Sequence, residues 1–504
     1  MPAASVPLST APVVTPPPSR RRHWPKGWTE LTCFDFFGGG AVHHLSLPNG
    51  LQVLLLRDPA APVISYHSWY RVGSRHERAG KTGLAHLLEH LMFGACEGLP
   101  PGDFDARLEA VGGECNAATW TDWTHYHIDL PKRQLALAIE LEALRMDKLL
   151  LRPAAFRSEV EVVANERRER VDNDVDGMVA EALYALALPA PGYGHPTIGW
   201  MADIEDYALR DCRAFYRRHY SPSNATVVLV GDFDLRRAAA LIEAHYGALP
   251  ARPRRASAPP TRPASRRFKR RILEAPCVAP KIVRGYPAPG IGDDDWWALS
   301  LVAELLTGGP SSRLYSELVL EQERATSVHA APTPFQYPGL FELSVHLRPG
   351  TDIAPMPAQL DAAIARLQQE PVRAAELNKA QCQLELGLLQ GMETAAGKAE
   401  QLGFWATVTG SAEAAVTQLH RYPRVRPEDV QRVARRYLRR AALCEVQVRP
   451  QQEQAALAGR GRARAHAGHK PAGGARARQS SGEAGRVFGA AGRPLSAGSM
   501  RRWA

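Results

Sequence analysis

Two regions of this chain repeat the same order of patterns, and that echo constrains the fold more than any single motif. In the first, the apolar helix-like run GLAHLLEHLMFG is followed far downstream by FYRRHYSPSNATVVLVGD, a helix end, a turn and a buried strand. In the second, ALSLVAELLTGG and VARRYLRRAALCEVQV take the same places. Aligning Glu89 with Glu304 gives an offset of 215, and aligning Tyr220 with Tyr437 gives 217. Two distant landmarks that share nearly one offset indicate a duplicated fold of about 200 residues per copy. A chain of 504 residues also exceeds what a single hydrophobic core usually supports.

Within each copy, strands and helices mix without regular alternation. Leu51–Leu56 and Val63–Tyr70 read as neighbouring strands, Thr82–Phe93 as a helix and Thr124–Leu130 as a strand. Arg133–Leu151 and Pro153–Asn173 carry long helical patterns. The pattern predicts an α+β fold: two homologous halves, each a mostly antiparallel sheet with helices on one face, closing as a clamshell. The predicted divisions are a Pro/Gly-rich N-terminal extension at 1–40, a first domain at 41–248, a Pro/Arg linker at 249–267, a second domain at 268–450 and a basic tail at 451–504. The tail has almost no large apolar residues to offset the entropy of ordering, so disorder is expected there.

The formal charge of +10 belongs to the ends. Ten Lys or Arg against two Glu in 451–504, and four more cations before Trp28, leave the region between them at −2. The folded body therefore has no electrostatic reason to seek nucleic acid. No apolar run reaches the length of a membrane span. Prolines interrupt the N-terminal apolar stretch and its arginines follow it, unlike a secretory signal, so a cytoplasmic location is expected. The seven cysteines contain no C-x-x-C pair, which argues against a disulfide framework and against a thiolate zinc site. Buried, reduced thiols are expected.

The chemistry concentrates at His86-Leu87-Leu88-Glu89-His90. Residues four apart on a helix stack one turn above each other, so His86 and His90 can share a cation. Glu89 projects beside them, where a general base for an attacking water belongs. Leu84, Leu87, Leu88 and Leu91 supply the apolar face that would fix this helix in a core. A hydrolytic zinc site needs a third protein ligand. Ser158–Asn173 offers Glu159, Glu161, Glu166 and Glu169, and spacing alone leaves the choice open.

The inverted H-x-x-E-H motif, together with VVANERRERVDND and Gly112-Gly113-Glu114-Cys115-Asn116-Ala117-Ala118-Thr119, closely resembles the pitrilysin/insulinase family of zinc peptidases, in its processing-peptidase-like branch. The resemblance covers roughly residues 42–450. It implies one Zn²⁺ per chain, held by His86, His90 and Glu166, with Glu89 as the catalytic base and Glu159 supporting the site. It also implies that Asn116 and Ala117 lie on an edge strand that pairs with an extended peptide substrate. His125 and His127, two apart in the next strand, read as core or solvated histidines.

The second copy has Leu301, Glu304 and Leu305 where the first has His86, Glu89 and His90. The resemblance makes this copy the other shell of a chamber around the peptide. Many active relatives carry an Arg, and a Tyr seven residues later, after the segment matching Gly308–Tyr315. Here those positions are Val319 and Thr326. The expectation is a zinc metalloendopeptidase acting as the zinc-bearing subunit of a heterodimer, its homologous partner supplying the Arg/Tyr pair. The alternative is a homodimer or single chain in which Arg324 or Tyr337 substitutes locally. A catalytically silent assembly subunit is a weaker reading, because such chains lose parts of the motif and this one keeps it all.

Overall fold

The structure is a computed structural model that describes residues 24–190, 192–252 and 267–451. The basic tail, most of the linker and the first part of the N-terminal extension lie outside the described residues. Seven strands form the first sheet: β1 Thr29–Asp35, β2 Ala41–Ser46, β3 Gln52–Arg57, β4 Val63–Tyr70, β5 Glu114–Thr119, β6 Thr124–Pro131 and β7 Ala225–Gly231. Five form the second: β8 Lys269–Ala275, β9 Lys281–Ala288, β10 Ala325–Pro332, β11 Gly339–Leu347 and β12 Cys444–Pro450.

The duplication is explicit in the strand order. The first sheet runs β1-β2-β3-β7-β4-β6-β5, and the second, read in the same sense, runs β8-β12-β9-β11-β10. In both, the last strand in sequence inserts parallel to one neighbour, β3 or β8, and antiparallel to the other, β4 or β9. The remaining pairs are antiparallel. Two expectations change. Strands β3 and β4 are not neighbours, because β7, arriving from far along the chain, separates them. Residues 29–35, assigned above to the extension, form β1 and pair with β2.

The first-half helices are α1 Leu84–Leu91, α2 Asp103–Glu109, α3 Leu135–Lys148, α4 Pro153–Arg167, α5 Val175–Ala187, α6 Met201–Glu205, α7 Leu209–His219 and α8 Leu235–Tyr246. The second half has α9 Asp294–Thr307, α10 Arg313–Tyr315, α11 Met356–Gln369, α12 Ala374–Gln390, α13 Ala395–Val408, α14 Ala414–Thr417 and α15 Pro427–Tyr437. Helices α1, α3, α4, α7 and α8 share one core with Tyr66, Val227 and Leu229 on one face of the first sheet. The other face is covered from outside its own half. Trp69, Val228 and Val230 join the core of the second half through Leu402 and Trp405 of α13. Reciprocally, Val179 and Leu183 of α5 pack on Ala275, Val446 and Val448 of the second sheet.

Each half thus lends one helix to the other's sheet, which covers the second face of the central strands, while the edge strands β1 and β8 stay largely exposed. Gly403 makes the exchange possible: a Cβ there would sit 2.0 Å from the Trp69 indole nitrogen. A buried polar junction adds to it. Asp122 accepts from Arg75 Nε at 2.6 Å, from the Tyr193 hydroxyl at 2.9 Å and from the Gln336 amide at 3.0 Å.

None of the seven cysteines forms a disulfide among the described residues. Three are buried, three half-buried and Cys382 exposed, so the expectation of buried thiols holds for fewer than half. Among the described residues no helix is long and apolar enough to cross a membrane.

Candidate active site

Helix α1 buries Leu84, Ala85, Leu87, Leu88 and Leu91, which turns His86, Glu89 and His90 toward α4. Its start is unusual. The N-cap is Gly83, at φ 86°, and no side chain of its own caps the helix. A Cβ at Gly83 would lie 2.2 Å from the Ile198 carbonyl oxygen, so only glycine fits between helix and loop. The orphan amides are met from a distance instead. The buried Glu77 carboxylate accepts from Gly83 N and Ala85 N, both at 2.7 Å, and from His195 Nε2 at 3.1 Å. Burial raises the Glu77 pKa, against the pull of these donors. Thr82 is tied to Asp203, whose carboxylate accepts from its amide at 3.0 Å and its hydroxyl at 2.6 Å.

The role of Glu77 was not read from the sequence. The available signal was a strong helix pattern preceded by glycine with no Ser, Asp or Asn at its cap, which must be completed from elsewhere. Glu77→Ala leaves two helix amides buried without an acceptor, and leaves His195 Nε2 with only the Ser74 carbonyl at 3.1 Å. It is expected to cost about 2–4 kcal/mol, read by urea unfolding, with a parallel fall in metal affinity. Glu77→Gln should fall between. Unchanged stability in Glu77→Ala would mean that water replaces the carboxylate at no cost.

Helix α4 begins with Pro153 at its first turn, where a missing N–H does no harm. It buries Phe156, Val163, Ala164 and Arg167, leaving Glu159 and Glu166, two turns apart, facing α1. Donor atoms of His86, His90 and Glu166 all lie within 4.8 Å of one another. Glu166 Oε2 is 3.5 Å from His86 Nε2 and 3.4 Å from His90 Nε2. Glu159 Oε2 is 3.4 Å from the other ring nitrogen of His90, Nδ1. Past Arg167 the helix loosens into a π-helical turn, Arg168–Asp172, and Arg170 Nε reaches back to Glu166 Oε1 at 3.1 Å. Of the four glutamates left open by spacing, α4 and its extension bring Glu166 and Glu159 against the histidines.

The electrostatics follow from this packing. Burial pulls His86 down to about 4. Burial also opposes charge on His90, but Glu159 and Glu166 outweigh it and lift that imidazole to about 10. Burial works on Glu166 in the opposite sense to its neighbours His90, His86 and Arg170, which hold it at about 2. Glu89 is raised to about 7 by burial, moderated by a hydrogen bond from Thr119.

Two imidazoles and a carboxylate are a donor set suited to zinc. Glu166 Oε2, facing both rings, and Glu89 Oε2 are buried without a hydrogen bond. An unmet buried acceptor is costly, and a cation between the rings and Glu166 would meet the first. Side chains of His86 and Glu166 are 13% exposed and that of His90 24%, so water and substrate can reach them.

Among the described residues, strand β5 is the edge of its sheet and pairs only with β6. The bond from Trp120 N to Trp123 O, at 2.9 Å, sets the ladder's phase. Residues 116 and 118 bond to β6, and Cys115, Ala117 and Thr119 turn their amides and carbonyls to the open edge. Asn116 Oδ1 accepts from Ala117 N at 2.8 Å. Thr119, next to Glu89, links this edge to the cluster.

The other residues singled out lie elsewhere. His125 stacks on Trp69, with ring centroids 4.1 Å apart, and bonds His67 at 3.0 Å on the face of β6 away from α1. Leu301 and Leu305 are buried in the second-half core. Val319 is buried, and Thr326 bonds the His346 carbonyl at 3.2 Å. Arg324 reaches the Asp352 carbonyl at 3.2 Å, and Tyr337 lies 4.9 Å beneath the Arg75 guanidinium.

This is a two-halved fold carrying an H-x-x-E-H helix against a glutamate-bearing one. Comparison with known proteins gives it a family. Residues 52–199 match the model described as insulinase (peptidase family M16), and residues 208–384 match the peptidase M16 inactive domain. The chain is 31% identical to the zinc protease PqqE of Helicobacter pylori over 69% of its length and 80% of that protein's. It is 31% identical to an uncharacterized zinc protease of Mycobacterium tuberculosis over 79% and 91%. It is 26% identical to the mitochondrial-processing peptidase subunit beta of Blastocladiella emersonii over 80% and 88%. The crystal structure of a protease from Helicobacter pylori superposes with a TM-score of 0.77 at 28% identity, over 81% of this chain and 99% of that one. The chain belongs to the M16 family of insulinase-type peptidases.

Proposed function

We propose that this protein is a zinc-dependent metalloendopeptidase that hydrolyses unfolded or short peptides between its two halves. The observation that carries the reading is the convergence of His86, His90 and Glu166 beside Glu89. One Zn²⁺ per chain, held by those three ligands, would lower the pKa of water and polarise the scissile carbonyl. Glu89, poised near neutrality, takes the proton of the attacking water and returns it to the leaving amine. Glu159 fixes the His90 ring through Nδ1, and Arg170 steadies Glu166. The open edge of β5 holds the peptide main chain at Ala117, with Asn116 alongside, so binding asks little of the substrate's sequence.

Among the described residues the second half has no metal set, and Val319 and Thr326 stand where relatives carry the Arg/Tyr pair, which supports a role as the zinc-bearing member of a paired peptidase. The likeness to the mitochondrial-processing peptidase subunit beta of Blastocladiella emersonii supports that reading. The test is cleavage of an unstructured fluorogenic peptide by the isolated chain, with zinc and with chelator, and with a homologous chain bearing the Arg/Tyr pair. The expected result is a metal-loaded but slow enzyme alone, chelator-sensitive, and accelerated at least tenfold by the partner. Full turnover alone that collapses on Arg324→Ala would favour a self-sufficient chain.

A further inference from the structure

We propose that Glu30, Cys33 and His43 form a second cation site, of zinc type, that clips the edge strand β1 to β2. Donor atoms of these three side chains lie within 4.8 Å of one another. His43 Nδ1 is 2.6 Å from Glu30 Oε1 and 3.6 Å from Cys33 Sγ.

The cluster exists because of a defect in the ladder. Residues three apart on a regular strand point to opposite faces, so Glu30 and Cys33 could not both meet His43. The register here runs from Glu30 opposite Leu45 to Thr32 opposite His44, then Cys33 opposite His43. Leu31 is therefore an extra residue, a bulge, and its side chain is left 46% exposed. The bulge restores parity: Glu30 joins the face of Leu45 and His43, which is also the face of Cys33. Bulges of this kind re-aim side chains, often at functional sites. Here one collects a carboxylate, a thiol and an imidazole at one point.

The chemistry of the set favours a borderline-soft dication. Thiolate, imidazole and carboxylate are all zinc ligands, and around a tetrahedral zinc such donors lie roughly 3.4–3.6 Å apart. The Cys33–His43 separation already matches. The Glu30 side chain, 30% exposed, has room to draw back and admit the ion. His43 is only 3% exposed, and the Trp24 ring stands edge-on to it at 5.3 Å, so one side of the site is dry and the other open for a water ligand. On binding, Cys33 releases its thiol proton to solvent and His43 keeps its ring proton on Nε2. The absence of C-x-x-C spacing counts against a thiolate site only for ligands close in sequence. These come from two strands and a bulge.

Cobalt(II) and zinc content of the full-length protein test this. The His86 site has no sulfur ligand, so a thiolate-to-cobalt charge-transfer band in the near ultraviolet reports the second site alone. Wild type is expected to bind two equivalents of zinc, and His86→Ala and Cys33→Ser one each. The cobalt band should persist in His86→Ala, vanish in Cys33→Ser and weaken in Glu30→Gln, with peptide cleavage unchanged in Cys33→Ser. A wild type that binds one equivalent, with no charge-transfer band when cobalt-loaded, would overturn the proposal. So would a band that survives Cys33→Ser.

Discussion

Glu89→Gln is expected to keep its metal and lose about 10²- to 10⁴-fold in peptide hydrolysis, the usual worth of general-base assistance. The substitution preserves shape and leaves an amide oxygen to accept from Thr119. It leaves His86, His90 and Glu166 untouched, and these are the donors that converge. What it removes is the carboxylate oxygen Oε2, buried without a partner, and with it the basic lone pair that the proposed mechanism assigns to the attacking water. A carboxylate lifted to about 7 by burial is basic enough to take a proton near neutral pH and acidic enough to return it, so its loss should appear in kcat more than in KM. Metal analysis and single-turnover cleavage, on the same preparation, separate the two roles. A variant that cleaves at the wild-type rate would place the base on another residue. One that loses its metal would make Glu89 a ligand.

How much of this was legible in the sequence depends on how local each feature is. The helix bearing His86 and His90 was readable because its leucine spacing and its chemistry lie within one short run. Its observed bounds, Leu84–Leu91, fall inside the predicted ones. Strand β4 was read to the residue. The duplication was readable because it repeats along the chain, and the two sheets now show it strand by strand.

The failures share a cause, which is partners distant in sequence. The insertion of β7 between β3 and β4 pairs residues about 170 apart, and nothing in either strand records it. Helix α13 does leave a trace. It buries residues nearly all round, from Gly397 to Val408, because it is sandwiched between halves, yet the pattern does not say which sheet it serves. Glu77 is the same problem at the scale of a cap. Spacing left four candidates for the third ligand, and only family resemblance, then the packing of α4 on α1, separated them.

That packing sets up the second large effect. His86→Ala, His90→Ala and Glu166→Ala are each expected to abolish stoichiometric zinc at this site, because a three-ligand centre has no spare donor. Glu159→Ala should weaken binding by only about 10–100-fold, as losses around the ligands typically do. The reason for the difference lies in which nitrogen each carboxylate faces. Glu166 Oε2 stands 3.4–3.5 Å from the Nε2 atoms of both rings, between them. Glu159 Oε2 stands behind His90, 3.4 Å from Nδ1, where it can hold the ring proton on Nδ1 and leave Nε2 free to coordinate. Glu159→Gln keeps an acceptor at that point and should recover most of the affinity, whereas Glu166→Gln, which exchanges an anionic ligand for a neutral amide, should not. Zinc titration against a competing chelator gives all six variants on one scale. Equal losses in Glu159→Ala and Glu166→Ala would mean that both carboxylates coordinate, and that His90 turns its ring when the ion binds.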